Sequence, residues 1–218
     1  MDRDAFLAGV RTAVARNRVP NASAIDPGPL VPDLPPVDLV AMFSEILERV
    51  DGHVHTGDAL QALDEVVALY GAGPFLSWDT DRLPVSGAVA HLEELGCGRA
   101  EAEVSNQPDA RKAHQVGYGD VHIGLTGAEA GFAETGSIVL RSGLGRPRMA
   151  SLVPLIHVAL LPAALIFRSP MHWLAEPETD IASDSNVVYI TGPSRTADIE
   201  QQLNLGVHGP KELHVILI

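Results

Sequence analysis

At 218 residues the chain can bury about 70% of the surface its unfolded form exposes, so a self-sufficient core is expected. Fifteen basic residues against 28 acidic ones give a net charge of −13, a field that repels phosphate backbones and argues against general nucleic-acid binding. The lone cysteine, Cys97, excludes an internal disulfide and any all-cysteine iron–sulfur or zinc site within the chain, and is expected to be a buried, inert thiol.

The first residues, Met1 to Phe6, lack the apolar run of a signal peptide, which predicts no export by that route and a cytoplasmic location. Arg3 to Arg18 suits an amphipathic helix, with Phe6, Leu7, Val10 and Val14 at three- and four-residue steps. Pro20, Pro27, Pro29, Pro32, Pro35 and Pro36 then block both helix and sheet ladders, so an extended linker is predicted. This divides the chain into an N-terminal helix plus linker, residues 1–36, and an α/β domain, residues 37–218.

Within the domain, helices are predicted over Asp38 to Val50, Ala59 to Tyr70 (closed by Gly71), Val85 to Leu95 and, more weakly, Pro108 to Gly117. Strands are predicted at His53 to Thr56, Phe75 to Trp78, Val121 to Thr126, Ser137 to Arg141, Leu155 to Leu160, Val187 to Thr191 and Leu213 to Ile218. Such alternation implies a mostly parallel sheet covered on both faces by helices, a three-layer α/β/α arrangement. Met149 to Phe167 carries no Asp, Glu, Lys or Arg, yet Pro154 and Pro162 divide it; it reads as a buried strand followed by a helix and not as a membrane span.

Four segments are candidates for chemistry. Gly124 to Gly136 holds four glycines with Glu134 just before a strand, which suits either plain turns or close approach of the backbone to a ligand. It has neither the dinucleotide nor the P-loop spacing. In Tyr189 to Glu200 an apolar strand breaks at Gly192-Pro193, and a short helix is expected to start at Ser194 or Thr196. Arg195 at that helix start suits a carboxylate or phosphate, while a plain capped helix with Asp198 and Glu200 in its first turn accounts for the segment equally well. Arg141 to Arg148 gathers three arginines, either a solvated loop or an anion site. Gly206 to Pro210 sets His208 between flexible neighbours, either an ordinary turn or an imidazole free to act on a ligand. His53 and His55 share one strand face, but no zinc-type ligand spacing occurs, and no metal site is predicted. There is no G-x-S-x-G elbow for a serine hydrolase.

Taken together these segments resemble the LUD (lactate-utilisation) domain family, specifically its short LutC-type members. The resemblance rests on Gly127, Ala133-Glu134-Thr135-Gly136, Arg148, Ser151 to Pro154, His157, Gly192 to Glu200 and Gly206 to Pro210, and extends over about Val37 to Ile218. It implies a fold similar to the ribose-phosphate isomerase and CoA-transferase superfamily. It also implies a part in oxidising L-lactate to pyruvate beside partner proteins that carry iron–sulfur clusters, with no cofactor in this chain. The chain is therefore expected to be a non-redox subunit that binds a small carboxylate or phosphate. The alternative is a free-standing isomerase- or CoA-transferase-type enzyme with Glu134 as base or nucleophile. The expected site has Glu134 and His208 as catalytic groups. Gly127, Thr135, Gly136, Arg148, Gly192, Ser194, Arg195, Thr196 and Gly209 are expected to bind the ligand, with Glu134, Arg148, Arg195 and His208 converging at the C-terminal edge of the sheet.

Overall fold

The computed structural model describes residues 2–16, 35, 37–101, 118–177, 179, 185–196, 204–206 and 208–218. The expected linker, apart from Pro35, and the helix expected over 108–117 lie outside these residues, as do Asp198 and Glu200. The chain divides between residues 33 and 34 into two compact units. In the first, helix α1 (Arg3–Arg16) leaves Phe6 and Val10 exposed.

The second unit holds the sheets. Helix α2 (Leu39–Arg49) starts at Asp38, whose carboxylate accepts the Ala41 N–H at 3.0 Å, and it buries Phe43 and Leu47, one turn apart. Strand β1 (His53–His55) follows, then helix α3 (Ala59–Tyr70). Asp58 caps α3 by accepting the N–H groups of Leu60 and Gln61, and Gly71 ends it. Strand β2 (Phe75–Ser77), helix α4 (Ala88–Glu94) and strand β3 (Ile123–Gly127) come next. After them run β4 (Ala130–Phe132), β5 (Ser137–Ser142), β6 (Ile156–Leu161) and β7 (Ile166–Phe167), then helix α5 (Pro170–Leu174). The remaining strands are β8 (Asn186–Ile190), β9 (Arg195–Thr196), β10 (Asn204–Leu205) and β11 (Glu212–Leu217).

Five strands form an all-parallel sheet in the order β1-β11-β6-β3-β2. Its central strand β6 is buried along its whole length, which is why, apart from His157, it reads as an apolar run rather than an alternating one. The α/β class with a mostly parallel sheet is therefore what the structure shows. Beside it stands a second, mixed sheet in the order β7-β4-β5-β8, which the strand–helix alternation did not announce. Phe132, Trp173 and Tyr189 meet there with ring centroids 5.3 to 6.4 Å apart, Tyr189 edge to face with both others.

Three local expectations are corrected. The loop expected over Gly124 to Gly136 contains β4, paired antiparallel with β5 through a tight turn. Gly136 closes that turn at φ +63, and a Cβ there would lie 2.6 Å from the Leu47 backbone nitrogen of α2, so no other residue fits without displacement. The helix expected after β6 is a single 3-10 turn, Ala163–Leu165, leading into β7, because Pro162 cannot continue a ladder and only three residues separate it from the next strand. A helix starting at Ser194 is not formed, because Arg195–Thr196 is strand β9, antiparallel to β10, while a start at Thr196 would fall on residues 197–203, outside the described residues. Ser194 uses its backbone across the fold: its N–H donates to the Pro210 carbonyl at 2.8 Å and its carbonyl accepts from Gly206 at 2.9 Å. No helix among the described residues is long and apolar enough to cross a membrane.

Candidate functional site

The Ser194–Pro210 bond closes one wall of a cavity of about 240 Å³. Gly192, Pro193 and Ser194 follow β8, and His208, Gly209 and Pro210 precede β11, so both segments face the same space. Ser151 and His157 contribute polar groups from the other side, and Val188, Ile190 and Leu213 supply apolar surface. Gly192 stands at φ +81, and a Cβ on it would meet the Val50 carbonyl oxygen at 2.4 Å, so the turn that starts this wall depends on the absence of a side chain. His157 is wholly buried, and its Nε2 shares a hydrogen bond of 2.8 Å with the Thr126 hydroxyl. Burial lowers its pKa to about 4, so it is a neutral imidazole at pH 7. Among the described residues lining the cavity there is neither arginine nor lysine.

Four of the expected site residues, Gly192, Ser194, His208 and Gly209, thus share one cavity. The other seven stand elsewhere. Glu134 sits in the turn between β4 and β5 and accepts a hydrogen bond from Arg168 Nε at 3.0 Å. Arg168 is tied in turn to the Pro35 carbonyl at 2.9 Å. Arg195 reaches across to α2's end, donating to the Val50 carbonyl and to the Asp51 carboxylate at 2.5 and 2.6 Å. Arg148 is exposed at the start of a 3-10 turn, and Arg146 pairs with Glu129 at 2.6 Å. Gly127 ends β3 beside Trp78, Gly136 packs on α2, and Thr196 lies in β9. Thr135 is joined to the cavity indirectly: its hydroxyl bonds Ser137 Oγ at 2.8 Å, and Ser137 bonds the Thr191 hydroxyl in the cavity wall at 2.7 Å.

The expected convergence of Glu134, Arg148, Arg195 and His208 on one pocket is therefore corrected, and so is its place. His157 and Leu213 are the second residues of β6 and β11, so the cavity lies toward the beginnings of these strands and not beyond their C-terminal ends. The physical reason is that opposite charges close at hand, Asp51 for Arg195 and Arg168 for Glu134, satisfy these two groups within the fold, while Arg148 is exposed.

A second group is visible only in three dimensions. Parallel pairing places His53 opposite His214, so His53 and His55 of β1 share a face with Glu212 and His214 of β11. His53 Nε2 is 3.2 Å from Glu212 Oε2, and His55 Nε2 is 2.9 Å from His214 Nδ1. His214 Nε2 is 3.1 Å from the Tyr70 hydroxyl, and His55 Nδ1 lies 3.6 Å from the Glu65 carboxylate. Burial, followed by the repulsion of His53 and His55, pushes His214 down to about 3. Burial outweighs Glu65 in lowering His55 as well, and raises Tyr70. The only sequence signal was the alternation of His53 and His55, because the other members come from a strand far along the chain.

The LUD domain model matches residues 40–218. The chain is 29% identical to the lactate utilization protein C of Shouchella clausii, over 100% of this chain and 97% of that protein. It is 31% identical to the lactate utilization protein C of a Geobacillus species, over 72% of this chain and 67% of that protein. In fold it is similar to the crystal structure of a DUF162 family protein from Deinococcus radiodurans, with a TM-score of 0.52 at 16% identity, covering 84% of this chain and 99% of that one.

Proposed function

The chain belongs to the LUD domain family, and from that premise we propose that it serves lactate utilisation as a non-redox subunit of a lactate-oxidising system. The observation that carries this reading is that Gly192–Ser194 and His208–Pro210, from the two most distinctive blocks of the family resemblance, wall one cavity of about 240 Å³. That space suits a three-carbon acid of the size of lactate or pyruvate. The Ser194 and Thr191 residues and His208 offer polar groups, and the neutral His157 offers shape and polarity without charge. With no cation among the described lining residues, hydrogen bonds of about 1 kcal/mol each carry recognition, which corresponds to affinity on the order of millimolar. Electrons pass through iron–sulfur clusters on partner proteins, since one cysteine cannot ligate such a cluster.

Titration with L-lactate, pyruvate and phosphate, followed by NMR shifts, tests the ligand half of this reading. One of the carboxylates is expected to saturate, His208→Ala and Ser194→Ala to weaken it several-fold, and Arg195→Ala to leave it unchanged. Saturation equally strong in all three variants would remove the cavity from consideration. Co-expression with cysteine-rich lactate-utilisation subunits tests the other half, and the expected outcome is a complex that oxidises lactate only when this chain is present.

A further inference from the structure

We infer that His53, His214 and Glu212, backed by His55, form a binding site for one divalent transition-metal ion of zinc type, on the outer edge of the parallel sheet and open to the neighbouring cleft. The inference is independent of the cavity ligand proposed above. It also revises the expectation, drawn from linear spacing, that the chain holds no metal.

The ligand atoms are already close. One nitrogen of each histidine and one oxygen of Glu212 lie within 4.8 Å of one another. His53 Nε2 and Glu212 Oε2 stand 3.2 Å apart, near the ~3.3 Å edge of a tetrahedron whose metal–ligand bonds are about 2.0–2.1 Å long. Two imidazoles and one carboxylate are a donor set that zinc accepts, and the fourth position stays open in such sites. Here the opening is supplied by a cleft of about 580 Å³, bordered by His53, His55 and Glu212 together with Glu48, Asp51 and Lys211. Its carboxylates outnumber the single ammonium among the described lining residues, which favours a cation.

The scaffold holds these groups without needing to move far. His53 and His214 are register partners on paired strands, and their rings stack at 4.5 Å with planes 21° apart. His214 has an oriented neighbour at each nitrogen, His55 at Nδ1 and the Tyr70 hydroxyl at Nε2, so whichever nitrogen turns to a metal, the other keeps a partner that fixes the ring. Glu65 stands behind His55 in the same way.

The test is equilibrium dialysis of the metal-stripped chain against Zn2+, with Co2+ as a spectroscopic probe. One equivalent of Zn2+ is expected to bind, and Co2+ is expected to give the intense visible bands of low-coordinate cobalt with imidazole ligands. His53→Gln changes an exposed side chain, so the fold is retained, and affinity should fall by about tenfold or more. Glu212→Gln should act in the same direction. His91→Gln removes a half-buried histidine outside the cluster, paired with Asp64 at 2.7 Å, and should leave binding unaltered. No saturable binding, or binding that survives in His53→Gln and is lost in His91→Gln, would overturn the assignment.

Discussion

At pH 7 the His157 ring is neutral because full burial on the central strand penalises the imidazolium, and its folded pKa of about 4 lies below the ordinary 6.5. Between those two values the unfolded chain takes up a proton that the folded one refuses. The contribution to stability is therefore complete above about pH 6.5 and is lost progressively as pH falls toward 4. From pH 7 to pH 5 the loss from this one group amounts to roughly 2 kcal/mol. Urea unfolding at both pH values should show His157→Gln losing less stability than the wild type by about that amount, and parallel losses would refute the burial account. Other side chains stand where charge found nearer company than a ligand. Glu134 meets Arg168, and Arg195 meets Asp51, whose side chain is 73% exposed, so this last pair is worth at most about 1 kcal/mol to the fold.

Elements were legible where a local signal sufficed. Helix α3 runs from Ala59 to Tyr70 and ends at Gly71, as expected. The seven predicted strands all exist, because runs such as Ile156 to Leu161, apolar but for His157, are long and buried. The short strands were not legible. Three residues of β4, Ala130-Gly-Phe132, and two each of β7, β9 and β10 owe their conformation to pairing partners rather than to their own composition. The site followed the same division. Glycine and proline marked the segments 192–194 and 208–210, but nothing linear revealed that Arg195 faces Asp51 or that β1 and β11 bring histidines together. The β4–β5 turn permits a quantitative check. Gly136→Ala adds a methyl 2.6 Å from the backbone of α2 at a left-handed φ, and should cost about 2–4 kcal/mol, read as a lower urea midpoint. An unchanged midpoint would mean that α2 and the second sheet are not held together there.

For the molecule as a whole, one cysteine cannot supply the ligands of an all-cysteine iron–sulfur cluster. The purified chain should show no flavin or iron–sulfur band in its visible spectrum, and such bands should appear only when cysteine-rich partners are bound to it. The strand order has a consequence in time rather than in space. β11 is inserted between β1 and β6, so the middle of the parallel sheet is completed by residues 212–217, while its neighbours are residues 53–55 and 156–161. As the chain grows on the ribosome, β1 has no partner among the sheet strands made before β11, and β6 has one open edge. Loops of this length close slowly, and two unpaired strand edges, that of β6 mostly apolar, in the meantime invite association with other nascent chains. Folding should therefore be slow for the domain's size and sensitive to chain concentration, and a chaperone that shields strand edges should raise the yield more than it raises the stability of what is finally made.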